Sequence, residues 1–414
     1  MRRLLFLAHR IPYPPQKGEK IRAWHMLDYL AERWEVDLGC LVDDRADLEY
    51  LPVLQSRCAE VQWWETGSRR QSALRALLRF RPGKPLTLGW FHNPSLAAWV
   101  EQGLAAGRWD AAFAYSSSMA PYLLRKHGLR RVLDMVDVDS EKWRAYAEGA
   151  RGVMRPVWAR EARTLLGFER QAALDFNQTL LVSPEEAQRF ADLAPDCADR
   201  LNYVNNGVDL SRFDPDRTYL NPYAGTGPAL VFTGTMDYRP NVDAVCWFAD
   251  TVMPLLAGRS PAPTFHIVGA NPAPAVRALA SRPGVQVTGA VPDIRPFIAH
   301  AAVAVAPLRI ARGIQNKVLE AMAMARPVVA SPEAYEGVRA VAGQDLLVAA
   351  SPAEMAARIG AVLEGEHPGI GERARRAVMK GHDWSATLRR LDPILSGEAD
   401  AKAMALPALA EERA

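Results

Sequence analysis

Short apolar runs alternate with amphipathic helical segments along most of the chain, and this alternation limits the possible folds. In the first half, the apolar runs predict buried strands at 4–8, 36–42, 110–115, 131–136 and 179–182. The pattern restarts in the second half, with predicted strands at 229–233, 264–268, 285–288, 302–306, 327–330 and 345–348. Strands that alternate with helices favour a parallel sheet covered by helices on both faces. We therefore predict an α/β protein with two doubly wound Rossmann-like domains, whose ligands bind beyond the carboxyl ends of the strands.

The length of the chain, 414 residues, fits two domains of this kind. A Gly- and Pro-rich stretch at 221–228 interrupts the pattern, so we place the join between the domains near 207–228. We assign 1–206 to an N-terminal domain and 207–382 to a C-terminal domain. If the two sheets face each other, a cleft between the domains follows. The tail at 401–414 has no strong periodicity and is predicted to be flexible.

Charge and cysteine content exclude several classes of protein. Lys plus Arg number 50 and Asp plus Glu number 47, and a net charge of +3 does not favour a nucleic-acid partner. The four cysteines are far apart and form no Cys-x-x-Cys pair, so we expect neither a metal site nor a disulfide framework. The apolar run at 4–8 is too short for a signal peptide, and no stretch is long enough to span a bilayer. We therefore expect a cytoplasmic protein.

The segment 305–330 reads as strand, loop, helix and strand. Gly313 lies in the loop, where free backbone amides and the helix dipole favour an anion. Lys317 follows about one turn into the helix, and Glu320 is three residues further on, so both side chains can share a face. A cation beside phosphate and a carboxylate beside sugar hydroxyls suit a nucleotide. The alternative is an ordinary Lys–Glu pair on the surface of a helix.

This segment resembles the nucleotide-sugar motif of GT-B glycosyltransferases of family 4, Gly-x-x-x-Lys-x-x-Glu-Ala-Met-Ala followed by a Pro-Val-Val strand. The matching positions are Gly313, Lys317, Glu320, Ala321, Met322 and Ala323. The resemblance implies that Lys317 binds the donor diphosphate and that Glu320 binds the ribose hydroxyls. Many members carry another glutamate, separated by seven residues from the position of Glu320, where this chain has Arg312. We expect backbone amides at 311–314, including those of Gly313 and Ile314, to contact the donor sugar instead.

Two further loops match the same family. The turn after the strand at 229–233 contains Gly234, and its pattern Gly-x-Met-x-x-x-Pro-Asn resembles the start of the family's donor domain. Arg239 lies where other members place a basic phosphate ligand, the alternative being an arginine in solvent. In the first loop of the chain, the resemblance implies a donor contact for Gly18 and acceptor-side contacts for Lys17 and Arg22.

Three carboxylates, Asp134, Asp137 and Asp139, cluster at the end of a predicted strand. Such a cluster can be catalytic, hold a metal or cap a helix. Many members of the family have a sugar-contacting histidine near the position of Asp137, so we list Asp137 as a catalytic candidate. We do not expect a metal there.

Two other segments have alternative interpretations. The stretch at 67–84 contains six basic residues and no acidic one, and its part at 69–84 either contacts an anionic membrane surface or is a helix packed through its leucines. The Asn-Gly-Val-Asp sequence at 206–209 resembles the family's passage between domains, and we interpret it as a structural hinge. A helix at about 383–400 is predicted to return the chain to the N-terminal domain.

Together with the segments 133–140 and 168–171, these features resemble most closely the sugar transferases associated with PEP-CTERM/exosortase exopolysaccharide loci. The resemblance implies a retaining transferase that moves a hexosyl group from a nucleotide-diphosphate sugar to a saccharide or a lipid-linked saccharide. Lys317 and Arg239 would stabilise the leaving diphosphate, and no cofactor is expected beside this co-substrate. One alternative is a nucleotide-sugar 2-epimerase of the same fold, and another is a non-catalytic scaffold that binds nucleotide sugars.

Overall fold

The chain forms two compact units in the computed structural model, which describes residues 2–15, 18–67, 76, 81–150, 152, 154–311 and 313–398. The first unit contains the residues up to Asn205 and the segment that starts at Leu388. The second unit runs from Asn206 to Thr387.

The first unit is built on a parallel sheet of seven strands. The strands are β1 (Arg3–Ala8), β2 (Glu35–Val42), β3 (Glu60–Glu65), β4 (Ala111–Tyr115), β5 (Arg130–Val136), β6 (Gln178–Leu181) and β7 (Leu201–Tyr203). Their order is β3-β2-β1-β4-β5-β6-β7, so the direction of winding reverses between β1 and β4. Most side chains of the five central strands, which run from β2 to β6 in the order of the sheet, are buried, as expected for a sheet covered on both faces.

Eight α-helices belong to the described part of this unit. They are α1 (Gly18–Ala31), α2 (Leu51–Arg57), α3 (Leu86–Trp90), α4 (Pro94–Ala105), α5 (Asp139–Glu148), α6 (Met154–Asp175), α7 (Pro184–Leu193) and, from the C-terminal segment, α17 (Leu391–Ser396). Short 3-10 helices lie at Arg45–Tyr50, Ser117–Tyr122, Pro195–Arg200 and Leu388–Arg390. The sequence sets the start of α7 clearly, because Ser183 caps the amide of Glu186 and Pro184 occupies the first turn.

The second unit contains a parallel sheet of six strands. The strands are β8 (Ala229–Thr233), β9 (Thr264–Val268), β10 (Val285–Gly289), β11 (Val303–Ala306), β12 (Val328–Ala330) and β13 (Leu347–Val348). Their order, β10-β9-β8-β11-β12-β13, is the order of a dinucleotide-binding sheet, and it reverses between β8 and β11. The prediction of two doubly wound, Rossmann-like sheets is confirmed.

Nine α-helices surround the second sheet in the described residues. They are α8 (Arg239–Thr251), α9 (Met253–Leu256), α10 (Pro274–Ala278), α11 (Arg295–Ala299), α12 (Asn316–Ala323), α13 (Pro332–Tyr335), α14 (Pro352–Leu363), α15 (Ile370–Gly381) and α16 (Trp384–Thr387). A short 3-10 helix lies at Leu279–Ser281.

The first and last segments of the second unit are joined to each other. The backbone amide of Val208 donates to the carbonyl of His382 at 2.8 Å. The imidazole of His382, which is fully buried, bonds through Nδ1 to the carbonyl of Asn206 at 3.0 Å and accepts the amide of Arg339 at Nε2 at 2.8 Å. A Cβ on Gly207 would lie 2.7 Å from the ring of Trp384, so the close approach of the two segments requires glycine.

Three short helical segments, ending in α17, occupy the region where the sequence predicts a single crossing helix. Within the first unit, α17 docks on residues far earlier in the chain. The hydroxyl of Tyr29 donates to Asp392 at 2.8 Å, and Nε of Arg130 donates to the carbonyl of Ile394 at 2.6 Å. Ile394 and Leu395 are buried. Among the described residues, no helix has both the length and the apolar character needed to cross a membrane.

Candidate functional site

Lys317 lies in the first turn of α12, immediately after the loop that contains Gly313. Gly313 has a φ of 61°, a conformation that glycine adopts without strain, and the extended residue Gln315 precedes the helix. The Lys317 ammonium donates to Oδ1 of Asn241 at 2.8 Å and lies 4.8 Å from the centre of the Phe232 ring. Residues of α8, α12 and β8 therefore hold the lysine in place.

Glu320 lies one turn beyond Lys317, and both side chains are partly buried. Burial lowers the pKa of Lys317 to about 8, although the nearby Glu320 acts in the opposite direction. Burial raises the pKa of Glu320 to about 7, opposed by the positive charges of Lys317 and Arg212. Lys317 and Glu320 thus influence each other's ionisation, and burial moves both pKa values towards neutrality.

Asn241 depends on a tight turn at the end of β8. Its amide donates to the carbonyl of Thr235 at 2.9 Å, which leaves Oδ1 facing the lysine. A Cβ on Gly234 would lie 2.7 Å from Nδ2 of Asn241, and a Cβ on Gly269 would lie 1.6 Å from the carbonyl oxygen of Gly234. Both glycines are therefore needed for this turn to close against the asparagine.

A narrow pocket adjoins Lys317 at the point where the strand order reverses. It lies between β8, β11 and α12 and has room for about one water molecule. Among the described residues that line it, Lys317 is the charged one; the others are Val231, Thr233, Ile298, Ala304, Val305, Ala306, Val318, Ala321 and Val328. Open α/β sheets bind ligands beyond the strand ends at this kind of reversal, so Lys317 stands at the expected position for a ligand contact.

The other residues predicted on the donor side have varied surroundings. Arg239 is exposed at the first position of α8. Ile314 is buried, so its side chain belongs to the packed interior, while Gly313 beside it is buried as well. Gly18 is exposed at the first position of α1 in the first unit. Arg312 lies outside the described residues.

Arg22 differs from its prediction as an acceptor contact. Its guanidinium is 1% exposed and donates to both carboxylate oxygens of Asp134, at 2.8 and 3.1 Å, and to the carbonyl of Val204 at 2.6 Å. This buried network braces α1 against the ends of two strands, which speaks against a contact between Arg22 and an acceptor. Lys17 lies outside the described residues, as do 69–75 and 77–80 of the basic stretch.

Asp137 follows β5 in the first unit, beside an unusual backbone. Val136 has a φ of 69°, a left-handed conformation that is costly for a β-branched residue and is found mainly where function requires it. Burial raises the pKa of Asp137 to about 8, with Glu186 and Asp139 acting in the same direction and Arg22 and Lys142 opposing them. Asp137 is therefore largely protonated at neutral pH. No group of side chains suited to a metal ion occurs in the described part of the chain.

Two neighbours of the lysine were not among the predicted site residues. Asn241 was part of the motif at 234–241 but received no role, although its position after the turn signalled a helix start. Arg212 influences the pKa of Glu320, and the amide of Arg212 is capped by Asp209 at 3.0 Å. It follows the Asn-Gly-Val-Asp segment, and only the fold brings it near α12.

The sheet order defines the second unit as a doubly wound α/β domain, and Lys317 is a cation at its reversal. Residues 227–365 match the family described as Glycosyl transferases group 1. The match lies within the second unit, and the prediction of a glycosyltransferase is confirmed. Comparison with curated protein sequences finds no match.

Solved structures share the fold of nearly the whole chain. Sucrose-phosphate synthase from Thermosynechococcus elongatus superposes with a TM-score of 0.71 at 15% identity, covering 97% of this chain and 100% of that one. Anabaena HepE in complex with UDP-glucose gives 0.66 at 15% identity, covering 96% and 100%. WaaG, a glycosyltransferase involved in lipopolysaccharide biosynthesis, gives 0.62 at 14% identity, covering 95% and 100%. These likenesses confirm the predicted GT-B type of fold.

Proposed function

We propose that the protein is a retaining glycosyltransferase that moves a sugar from a nucleoside-diphosphate donor to a saccharide or lipid-linked saccharide acceptor. The observation that carries this proposal is the Lys317–Asn241 contact beside Glu320, at the strand reversal of a glycosyl transferase group 1 domain. The UDP-glucose bound by HepE supports a nucleotide sugar as the donor.

The proposed reaction breaks the bond between the anomeric carbon and the diphosphate and joins the same carbon to an acceptor oxygen. Negative charge grows on the leaving diphosphate, and groups fixed in advance around that charge lower the barrier most effectively. In our proposal, Lys317, Arg239 and the amides near Gly313 supply this stabilisation. The proton of the acceptor hydroxyl passes to a phosphate oxygen, so the reaction needs no separate base.

Glu320 has a different role in the proposal. An ionised carboxylate accepts hydrogen bonds only, which suits the two hydroxyls of a ribose. Lys317 and Arg212 both favour the ionised form of Glu320, because each lowers its pKa. We therefore assign the ribose to Glu320 and the diphosphate to Lys317.

The biological setting is part of the same proposal. We infer membership of glycosyltransferase family 4 and a role in exopolysaccharide synthesis at the cytoplasmic side of the membrane. Support comes from the motif that includes Gly313, Lys317 and Glu320 and from the resemblance of 133–140 and 168–171 to the PEP-CTERM-associated transferases.

Calorimetric titration with UDP-, GDP- and ADP-sugars tests the donor site. We expect selective binding of one base, weakened about 10- to 100-fold in Lys317→Ala and measurably in Glu320→Ala, since a hydrogen bond to a charged group contributes roughly 1.5–3 kcal/mol. Lys380→Ala and Glu333→Ala are matched controls, because both side chains are exposed in the same unit.

The outcomes separate the proposal from its alternatives. Binding that survives both site substitutions would refute the assignment of Lys317 and Glu320. Binding without transfer to any acceptor would favour a scaffold. Conversion of the donor sugar without an acceptor would favour a 2-epimerase.

A further inference from the structure

Several buried polar atoms of the first unit lack a hydrogen-bond partner within the described residues, and three of the side chains that carry them follow strands of its sheet. They are Nδ1 of His9 after β1, Oδ1 of Asp137 after β5, and both amide atoms of Asn205 after β7. Asn205 is only 2% exposed. Buried polar groups in native proteins are nearly always hydrogen-bonded, so these groups call for a partner.

The three side chains belong to one edge of the sheet. All seven strands are parallel, so their carboxyl ends lie on the same side. One strand separates β1 from β5 and one separates β5 from β7, which puts successive residues about 10 Å apart along the edge. His9 also stands at the strand reversal between β1 and β4, where sheets of this kind bind ligands. The edge is long enough for a ligand of more than one sugar unit.

The groups on this edge are uncharged at neutral pH. Burial, and then the charge of Arg10, lowers the pKa of His9 to about 4. The imidazole also bonds to the backbone of Tyr115, which leaves Nδ1 as an acceptor. Asp137, with its pKa raised to about 8, is mostly a neutral acid. With the Asn205 amide, the edge offers neutral donors and acceptors that match hydroxyl groups.

The surrounding charges disfavour an anion. Among the described residues near this edge, two arginines are paired with carboxylates: Arg10 with Glu19 at 2.9 Å and with Asp43 at 3.4 Å, and Arg22 with Asp134. The groups that influence the titration of Asp137 are Glu186 of α7, Asp139 and Lys142 of α5, Arg22 of α1 and, across the strand end, Tyr115 of β4. Carboxylates outnumber the cations available to an added anion.

We propose that this edge binds an uncharged saccharide, that Asp137 in its neutral form hydrogen-bonds a sugar hydroxyl, and that acidic sugars are rejected. The inference rests on the proposed function, in which this saccharide is the acceptor. The inference adds that Asp137 and the charged groups around it select uncharged acceptors over acidic ones.

Saturation-transfer NMR without nucleotide tests the inference on the full chain. The probes are the methyl glycosides of glucose, galactose and mannose, each paired with the methyl glycoside of the corresponding uronic acid. At pH 7 we expect at least one neutral probe to bind and its uronic acid to bind at least about tenfold more weakly. Between pH 7 and pH 9 the affinity of the neutral probe should fall about tenfold, because Asp137 ionises over this range.

Asp137→Asn keeps the size of the side chain and removes its ionisation, so its affinity should not change between pH 7 and pH 9. Asp137→Leu should bind the neutral probe weakly at both pH values. Asp199→Asn, at an exposed position of the same unit, is the matched control and should keep the pH dependence of the wild type.

A uronic acid that binds as well as its neutral partner would overturn the inference, and so would a flat pH profile for the wild type. Titration of the same samples with a nucleotide sugar separates the two proposals. Nucleotide binding without any neutral probe bound refutes the saccharide edge alone, whereas loss of nucleotide binding refutes the proposed function on which it rests.

Discussion

Burial lowers the pKa of the Lys317 ammonium, the phosphate ligand in our proposal, to about 8. Above this pH the free protein loses the positive charge. We therefore predict that the affinity for the nucleotide sugar falls with rising pH, approaching tenfold per pH unit above pH 8. Calorimetry between pH 6.5 and pH 9.5 measures this dependence.

Lys317→Arg is the informative companion variant, because a guanidinium stays charged throughout this range. Its affinity for the nucleotide sugar at pH 7 should be lower than that of the wild type, since arginine does not reproduce the contact with Asn241. Above pH 8, however, this affinity should not change with pH. A profile as steep as that of the wild type would assign the titration to another group.

The Arg22–Asp134 pair predicts a large effect on stability. Both side chains are at most 1% exposed, and removal of one partner from a buried pair costs roughly 3–5 kcal/mol. Arg22→Met should therefore lower the free energy of unfolding by about this amount in urea denaturation. The double variant Arg22→Met/Asp134→Leu should lose less free energy of unfolding than Arg22→Met, because it leaves no unpaired charge. If the single and the double variant lost the same free energy of unfolding, the hydrogen bond from Arg22 to Val204 would contribute more to stability than the pair with Asp134.

Sequence could place the candidate residues in their elements but could not predict all of their contacts. Lys317 and Glu320 belong to a local motif, so spacing alone placed them on one helix face. Arg22 has partners 112 and 182 positions away, and nothing in its local sequence indicates them. Asn241 and Arg212 likewise reach α12 only through the tertiary fold.

At the scale of elements, the joined ends of the second unit depend on a neutral histidine. Burial lowers the pKa of His382 from 6.5 to about 4. The unfolded chain therefore takes up a proton before the folded chain does, and stability is lost as the pH falls from about 6.5 to 4. Protonation also removes the lone pair at Nε2 that accepts the amide of Arg339.

Hydrogen exchange measures this effect locally. Relative to the intrinsic rates, we expect protection of the Arg339 and Val208 amides to fall as the pH is lowered from 6.5 to 4. In His382→Asn, the protection should be weak and nearly independent of pH. His300→Asn is the control, because His300 is an exposed histidine of the same unit.

The strands show what periodicity can and cannot detect. All six strands of the second sheet were predicted. Most are short apolar runs with buried side chains, whereas β10, at the edge of the sheet, is buried only at Val285. β3 and β7 were missed. β3 is an edge strand that carries Glu60, Gln62 and Glu65 and no continuous apolar run, and β7 has three residues, too few to establish a pattern.

For the whole molecule, the cysteines give a simple chemical prediction. Cys40, Cys58 and Cys197 are buried, and burial raises the pKa of each thiol, in the case of Cys58 to about 12 and in that of Cys197 to about 11. Cys246 is partly exposed, and its pKa is raised as well. Since the thiolate is the reactive form, a native sample should react slowly with a thiol reagent at pH 7.5, first at Cys246.

Titration with Ellman's reagent checks this prediction, with four thiols released after denaturation as the reference. Cys246→Ser should remove the fastest phase. Rapid reaction of more than one thiol in the native protein would mean that a core of one unit opens far more often than its packing suggests.

The docking of α17 on residues near the start of the chain has a consequence for synthesis on the ribosome. Proteins generally acquire structure from the N-terminus as the chain emerges. Here Tyr29 and Arg130 of the first unit bind Asp392 and Ile394, so this unit is complete only after those residues have been translated. The second unit is fully translated at Thr387. The earlier half of the message therefore encodes the unit that is finished last, and a chain released just after Thr387 would contain a complete second unit beside an unfinished first one.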